Sequence, residues 1–266
     1  MAMMKKKYVA DKKADRMEDA KRWYQELTTN PAYIGAIKEV HTIYCSDTSE
    51  DLEPKTLNYD KTDIKVFNND VAVCTKAAIT HASKNDKVCV LDFASYTNPG
   101  GGFLKGSLSQ EESICRMSGL YPVLESHEYI YKKRKEKGFT PLYDDDFIYC
   151  KDVPFMVRNK DIHKADVLVA AAPNCGAYLA QYKKAKEWDT TEVILNRMKR
   201  IYLLPAKYGA TILLLGAFGC GVFGNDVETV ANQWRYLSKD LYPGLYKQVV
   251  HPVFDDAQCK VFRKYV

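Results

Sequence analysis

The residues of this chain best suited to chemistry are two glycine-rich segments and one pair of adjacent glutamates. The first segment, NPGGGFLKGSLSQEE, runs from Asn98 to Glu112, and the second, GAFGCGVFGND, runs from Gly216 to Asp226. Glycine lets backbone N–H groups approach an anion closely, and a helix that begins after such a loop adds about half a positive charge. One such loop alone would more often be a tight turn. Two loops that converge on one crevice could hold a diphosphate.

The glutamate pair at the end of the first segment has two interpretations. Ser109 and Glu112 match the S-x-x-E pattern of a capping box, in which the glutamate closes the first turn of a helix. Alternatively, a carboxylic acid beside a diphosphate loop could protonate the oxygen that leaves an attached sugar. Adjacent helical residues point about 100° apart, so Glu111 and Glu112 cannot share one role. One would contact ribose hydroxyls while the other transfers a proton.

Other classes of site have little support. Gly219, Gly221 and Gly224 spell GxGxxG, but no acidic residue ends a following strand about 20 positions on, so a dinucleotide oxidoreductase is disfavoured. The eight cysteines and five histidines are scattered, without CxxC or HExxH, which predicts metal-independent activity with no cofactor. Several cysteines lie in apolar runs, as buried reduced thiols of a cytoplasmic protein would.

Charge and hydropathy argue against a membrane-spanning, a secreted or a nucleic-acid-binding protein. The chain has no run of 18 apolar residues, and no apolar stretch follows the lysines of Met1–Lys7, so neither a membrane span nor a secretory signal is expected. A net charge of +5 fits an anionic ligand without indicating a nucleic-acid-binding protein.

Alternating strand and helix patterns predict the elements that position these residues. The runs VCVLDFAS, ADVLVAAA and ATILLLGAF are apolar throughout, as strands covered on both faces are. Helical spacing is found in residues 11–29, 110–125, 190–204 and 227–241, and strand patterns in residues 40–45, 63–67, 88–95, 146–150, 155–157, 165–172, 210–218 and 248–254.

This order of elements predicts a three-layer α/β fold in which ligands bind beyond the carboxyl ends of the strands. We expect one domain over residues 1–266, with residues 1–9 as a flexible arm. Pro205 should stop or kink its helix, and Pro252 should place the last strand at an edge of the sheet. The basic stretch Lys132–Lys137 is expected to be an exposed helix end or loop.

The two glycine-rich segments together resemble the signature of one family. The pattern GGG-x7-QEE followed by GCGVFGN resembles poly(ADP-ribose) glycohydrolases, in particular their compact bacterial-type branch, whose catalytic domain is a macrodomain. The resemblance includes VLDFAS and VLVAAAPN and spans roughly residues 10–255. It implies a macrodomain-like fold with a central mixed sheet and helices on both faces. It also implies hydrolysis of ribose–ribose O-glycosidic bonds, which releases ADP-ribose mainly from the chain end.

The resemblance also implies roles for individual residues. Glu112 would be the single general acid/base, while Glu111 would hold ribose hydroxyls with Gln110 beside it. Phe223 would pack on the terminal ribose. The remaining positions would line the ribose and diphosphate: Asn98, Gly100, Gly101 and Gly102 from the first segment, and Gly219, Cys220, Gly221, Val222 and Gly224 from the second.

The implied substrate is poly(ADP-ribose) or ADP-ribosylated protein, and the implied product is ADP-ribose. No membrane partner and no direct nucleic-acid binding are expected. Two alternatives remain open: a mono-ADP-ribosyl hydrolase, and a macrodomain that binds ADP-ribose without cleaving it. The presence of both Glu111 and Glu112 argues against the second alternative, because a binding module has no need of them.

Overall fold

The computed structural model describes residues 2–46, 51–156, 161–183 and 187–266. Seven strands within these ranges form one mixed sheet in the order β1-β4-β5-β3-β6-β7-β2. The strands are β1 (His41–Cys45), β2 (Asp63–Phe67), β3 (Val88–Phe93), β4 (Phe147–Met156), β5 (Ile162–Ala170), β6 (Ile212–Leu214) and β7 (Gln248–Pro252). Neighbouring strands from β5 to β2 run parallel, and β4 is antiparallel to both β5 and β1.

Helices cover both faces of this sheet. They are α1 (Ala2–Thr29), α2 (Pro31–Lys38), α3 (Val71–His81), α4 (Gln110–Cys115), α5 (Leu120–Ser126), α6 (Glu128–Lys137), α7 (Cys175–Gln181), α8 (Glu187–Lys207), α9 (Val227–Arg235) and α10 (Asp256–Tyr265). Alternation along β3 sends Val88 and Val90 to the side of α1 and α3–α6, while Cys89 and Leu91 face α8–α10. The predicted three-layer fold with a mixed central sheet is confirmed.

The first residues, predicted to form a flexible arm over residues 1–9, belong to a helix, and the flexibility of this arm stays a prediction. Helix α1 already begins at Ala2, so the lysine-rich start is helical, while Met1 lies outside the described residues. A second helix starts at Pro31, where the Asn30 side chain accepts a hydrogen bond from the N–H of Ala32 at 3.0 Å. Proline fits this first helical position because its missing N–H has no partner there.

Several predicted boundaries needed correction. The predicted helix 110–125 is divided into α4 and α5 by a turn at Gly119, whose N–H donates to the carbonyl of Pro154 at 2.8 Å. The predicted strands 146–150 and 155–157 form one strand, β4, with a bulge between Cys150 and Val153. Val157 lies outside the described residues. The predicted helix 227–241 is α-helical only as far as Arg235, and residues Tyr236–Leu241 form a π-helical turn.

The prediction for Pro252 was wrong, whereas Pro205 lies near the end of its helix as expected. Helix α8 includes Pro205 in its last turn and ends two residues later, at Lys207. Strand β7 lies between β6 and β2 rather than at an edge. Pro252 is tolerated there because it is the final residue of β7, and β6 has already ended at Leu214, opposite Val250. No helix in the described part of the chain is both long and apolar enough to cross a bilayer.

Candidate active site

The candidate site lies where the carboxyl ends of β3, β5 and β6 meet at one edge of the sheet. The loop after β3 carries the first glycine segment, and the loop after β6 carries the second. Because β3 and β6 are adjacent parallel strands, both glycine segments leave the sheet at the same edge. The second loop is also tied to the residues after β5: the N–H of Gly176 donates to the carbonyl of Phe223 at 3.0 Å, and Nδ2 of Asn225 donates to the carbonyl of Pro173 at 2.8 Å.

Glu111 and Glu112 are both buried and turn their carboxylates toward the first glycine loop. The backbone N–H of Ser95 donates to Glu111 Oε2 at 2.8 Å, and that of Gly102 donates to Glu112 Oε1 at 2.8 Å. Their side chains are only 2% and 4% exposed. Ser109 makes no side-chain capping bond. The capping-box interpretation is therefore wrong, because Glu112 bonds the loop rather than the start of its own helix.

The second oxygen of each carboxyl, Glu111 Oε1 and Glu112 Oε2, is buried without a hydrogen-bond partner among the described residues. Burial raises the pKa of Glu111 well above its usual range, and the neighbouring charge of Asp92 raises it further. Unpaired buried acceptors are costly within a protein, and a ligand hydroxyl would satisfy them.

Asp92, near the end of β3, belongs to this site although it was not predicted. It is fully buried, and neither of its carboxyl oxygens has a hydrogen-bond partner within the described ranges. Burial raises its pKa well above the usual value, and the charge of Glu112 raises it further. A signal was present in the sequence, because a lone aspartate in the apolar run VCVLDF directly before the glycine segment is expensive to bury.

Gln110 lies against strand β3. Its Oε1 accepts a hydrogen bond from the N–H of Phe93 at 2.8 Å, and its Nε2 donates to the carbonyl of Leu91 at 2.6 Å. Strand β6 pairs with β3 only as far as Val90, so the Gln110 amide bonds the backbone that β6 leaves unpaired. Its side chain anchors α4 on the sheet, and its predicted contact with substrate stays a prediction.

The three adjacent glycines bring the loop backbone up to the carboxylates. Gly101 has φ +58°, and a Cβ there would lie 2.7 Å from both Glu111 Oε2 and Glu112 Oε1. Gly100 has φ +64°, and a Cβ there would lie 2.4 Å from Cδ2 of Tyr121. Asn98 is exposed at the start of this loop, where its Oδ1 accepts from Nζ of Lys135 at 3.4 Å.

The second loop is held from within by Asn225. Its buried amide donates to the carbonyl of Gly219 at 3.0 Å, and its Oδ1 accepts from Sγ of Cys175 at 2.8 Å. This bracing was not predicted, although Asn225 ends the GCGVFGN string. Cys220 and Phe223 are half-buried, while the predicted ligand positions at the tip are exposed: Gly221, Val222 and Gly224.

An aromatic cluster lies beside the second loop and was also missed. The rings of Tyr96 and Tyr143 stack with centroids 4.5 Å apart and planes 12° apart, and Phe223 lies 6.0 Å from Tyr143. Tyr143 has φ +59°, a left-handed conformation that is uncommon outside glycine. Arg197 holds it there through a 3.1 Å bond from Nη2 to the Tyr143 carbonyl. No periodicity or spacing signalled this cluster, because it depends on tertiary contacts.

Among the described residues, no group of three or more His, Cys, Asp or Glu side chains is placed so that it could hold a metal ion. All eight cysteines are free thiols, and Cys220 is the only one of them that is not buried.

The fold and the two converging glycine loops define a macrodomain-like protein. Comparison with known proteins identifies the family to which it belongs within this class. The family model for the microbial-type PARG (poly(ADP-ribose) glycohydrolase) catalytic domain matches residues 3–158, more than half of the chain. The chain therefore belongs to the microbial-type PARG family. A search of curated proteins finds no match.

Solved structures agree with this assignment. Poly(ADP-ribose) glycohydrolase from Thermomonospora curvata is 25% identical with a TM-score of 0.82, over 95% of this chain and 100% of that one. Its complex with the inhibitor ADP-HPD gives 27% identity and a TM-score of 0.80 over the same shares. The enzyme from Deinococcus radiodurans in complex with ADP-ribose is 29% identical with a TM-score of 0.77, over 88% of this chain and 97% of that one.

Proposed function

We propose that this protein hydrolyses the ribose–ribose O-glycosidic bonds of poly(ADP-ribose) and releases ADP-ribose mainly from the chain end. The observation that carries the proposal is the position of Glu112. Its buried carboxylate is bound by the Gly102 N–H of the glycine loop rather than used in a helix cap. Family membership and the related structures with ADP-ribose or an inhibitor bound support the same reaction.

Glu112 would act first as an acid and then as a base. Cleavage of the bond builds positive charge at the anomeric carbon, and the leaving ribose oxygen takes the proton of the Glu112 carboxyl. The resulting carboxylate then takes a proton from the water that attacks the anomeric carbon, which restores the acid. The negative diphosphate of the same unit stabilises the positive sugar, so one catalytic carboxylate is enough.

The other residues would bind and orient the terminal unit. The unpaired Oε1 of Glu111 is placed to accept hydrogen bonds from ribose hydroxyls. Gly100–Gly102 let backbone approach the ribose, and the exposed turn at Gly221–Gly224 would wrap the diphosphate with backbone N–H groups. Phe223 would pack on the terminal ribose from its half-buried position on the second loop.

The domain organisation, the acceptors and the location of the protein are proposed on related grounds. We propose that residues 1–266 act as one domain, because a single sheet joins β1 and β2 to β7. ADP-ribosylated proteins would be the acceptors that carry the polymer. A cytoplasmic location would suit eight cysteines that are all free thiols.

The substitution Glu112→Gln tests the proposal, because it keeps the size and polarity of the side chain but removes the acid. We expect release of ADP-ribose from automodified substrate to fall by about 10²–10⁴-fold. Affinity for ADP-ribose, measured by calorimetry, and the melting temperature should change little.

The matched control is Glu39→Gln, since Glu39 is exposed and pairs with Lys164 away from the site. It should leave hydrolysis unchanged. Near-native turnover in the Glu112→Gln protein would refute the assignment of the acid. A collapsed melting temperature in that protein would show instead that Glu112 is mainly structural.

A further inference from the structure

The connecting segment Pro141–Asp146, which lies between α6 and β4, is fixed to the residues that follow β5. Arg197 is only 1% exposed, and its guanidinium donates to the carbonyl of Tyr143 at 3.1 Å and to that of Ala171 at 2.9 Å. The N–H of Asn174 donates to the first carbonyl of the connecting segment at 2.8 Å. The segment is therefore held against the same loop to which the second glycine loop is tied.

Helix α6 and Tyr96 fix the connecting segment on its other side. The basic stretch Lys132–Lys137 forms the exposed end of this helix, as expected, except that Arg134 is only 6% exposed. The Arg134 guanidinium donates to both carboxylate oxygens of Asp146 at 3.1 Å and to the carbonyl of Tyr96 at 3.3 Å. The hydroxyl of Tyr96 donates to the carboxylate of Asp144 at 3.2 Å. The segment is therefore also held to the loop after β3, which carries the first glycine segment.

The ring of Tyr143 connects the loop after β3 with the second glycine loop. It stacks on the ring of Tyr96 with centroids 4.5 Å apart, and its centroid lies 6.0 Å from that of Phe223. Both separations lie in the range at which aromatic rings attract each other. Tyr143 has φ +59°, and a bulky residue keeps such a strained conformation only where its surroundings determine it, often at functional sites. Glycine would adopt this backbone without strain, so the turn itself does not require a tyrosine.

We propose that Tyr143 is a positioning residue, whose ring holds Phe223 in the orientation in which Phe223 packs on the terminal ribose. This inference rests on the proposed function. Phe223 is only half-buried and lies between the exposed Gly221 and Gly224, so contact with a fixed ring limits the orientations open to its side chain. Restricting a binding group before the ligand arrives lowers the entropic cost of binding. Because Phe223 would contact the ribose before and during bond cleavage alike, the contribution of Tyr143 should appear in KM rather than in kcat.

The test compares three substitutions of Tyr143 in the full chain. Tyr143→Ala removes the ring, and Tyr143→Gly removes both the ring and the backbone strain. Each should raise KM for release of ADP-ribose from polymer about fivefold, as loss of one aromatic pair would, while kcat changes less than about twofold. Calorimetric affinity for ADP-ribose should weaken by a similar factor. Tyr143→Phe keeps the ring and should retain the wild-type KM and affinity. The control is Tyr236→Ala, which removes an exposed ring at the end of α9 remote from the second glycine loop and should change neither value.

A double substitution shows whether Tyr143 acts through Phe223. In Tyr143→Ala/Phe223→Ala the rise in KM should equal that of Phe223→Ala alone, because the effects of residues in contact do not add. Rises that multiply would show that Tyr143 acts independently of Phe223, and an unchanged KM in Tyr143→Gly or in Phe223→Ala would show that the ring contact is not needed. Equal rises in Tyr143→Phe and Tyr143→Ala would assign the effect to the hydroxyl; each of these results overturns the proposal. Failure of the proposed function would look different, because the wild type itself would then release no ADP-ribose from polymer.

Discussion

At the scale of single residues, the site depends on three carboxyl groups in one buried region. The pKa of Asp92 is raised first by burial and then by the charge of Glu112, and the pKa of Glu111 is raised first by burial and then by the charge of Asp92. Burial and like charge therefore both favour the protonated forms of Asp92 and Glu111.

Glycine at position 101 is required by the carboxylates themselves. In Gly101→Ala the new methyl group would meet both glutamate side chains at 2.7 Å. We expect at least tenfold losses in ADP-ribose affinity and in hydrolysis, measured by calorimetry and by product release. Gly209→Ala is the control, because Gly209 has φ +82° with nothing within 4 Å of a Cβ. It also places a side chain at a positive φ but without the contact, so equal effects in the two variants would contradict this explanation.

Phe223 is expected to act on substrate more than on stability. It is half-buried at the margin of the core, whereas Phe218 in the same loop is fully buried. Phe218→Ala should lower the free energy of unfolding by about 3–5 kcal/mol, as deletions of core phenylalanine do. Phe223→Ala should cost roughly a third of that in urea titrations, yet raise KM for polymer severalfold. A Phe223→Ala cost as large as that of Phe218→Ala would make Phe223 a core residue.

At the scale of elements, patterns along the chain predicted the parts that depend on local order. The runs VCVLDFAS and ATILLLGAF, each followed by a glycine segment, placed both loops at one sheet edge. The hydropathy patterns could not show where the hydrogen-bonded pairing of two strands stops, because that depends on the length of the neighbouring strand. Strand β6 has three residues, and Gln110 bonds β3 beyond its end. The break between α4 and α5 likewise depends on a contact of Gly119 with β4.

Helix α1 supports the first glycine loop from outside the site. Nε of Arg16 donates to the carbonyl of Gly106 at 2.9 Å, and Nε1 of Trp23 donates to the carbonyl of Cys115 at 3.1 Å. A Cβ at Gly106 would lie 2.7 Å from the carbonyl oxygen of Lys13 and 2.9 Å from Cγ of Met17. The loop and the helix can therefore approach each other only because residue 106 has no side chain.

Gly106→Ala should separate α1 from this loop. We expect the free energy of unfolding to fall by about 1–3 kcal/mol more than in a strain-matched variant, as overpacking costs. Hydrolysis should fall as well, because the loop that carries Gly102 would shift. The control is Gly209→Ala, because Gly209 also has a positive φ (+82°) but has nothing within 4 Å of a Cβ. Indistinguishable urea unfolding curves for the two variants would show that α1 does not constrain the loop.

At the scale of the whole molecule, the fold class could be predicted but the order of strands could not. Apolar runs that alternate with helical patterns require a covered sheet, and this was confirmed. Strands β1 and β2, both from the first quarter of the chain, form opposite edges, and β2 pairs with β7 near the end of the chain. Pairing between such distant segments does not show in the periodicity of the sequence. For this reason the prediction that Pro252 places β7 at an edge of the sheet was wrong.

The same burial of β7 gives the molecule a predictable sensitivity to acid. His251 is fully buried, its ring lies 5.5 Å from that of Phe262, and neither ring nitrogen has a hydrogen-bond partner in the described part of the chain. Burial, with a smaller contribution from the charge of Lys239, lowers the pKa of His251 to about 3. An unfolded chain protonates this histidine near pH 6.5, so between these pH values the unfolded state binds more protons and stability falls as pH falls.

From pH 8 to pH 5, this residue should remove about 2 kcal/mol of the free energy of unfolding, at about 1.4 kcal/mol per pH unit below 6.5. In His251→Leu that loss should be absent, so urea titrations at the two pH values should differ less than in the wild type. His163→Leu is the control, because His163 is exposed on β5 and should leave the wild-type pH dependence unchanged. Other titrating groups contribute equally to all three proteins and cancel in the comparison. If the three proteins lose the same stability between pH 8 and pH 5, His251 is protonated without unfolding and its burial does not limit acid stability.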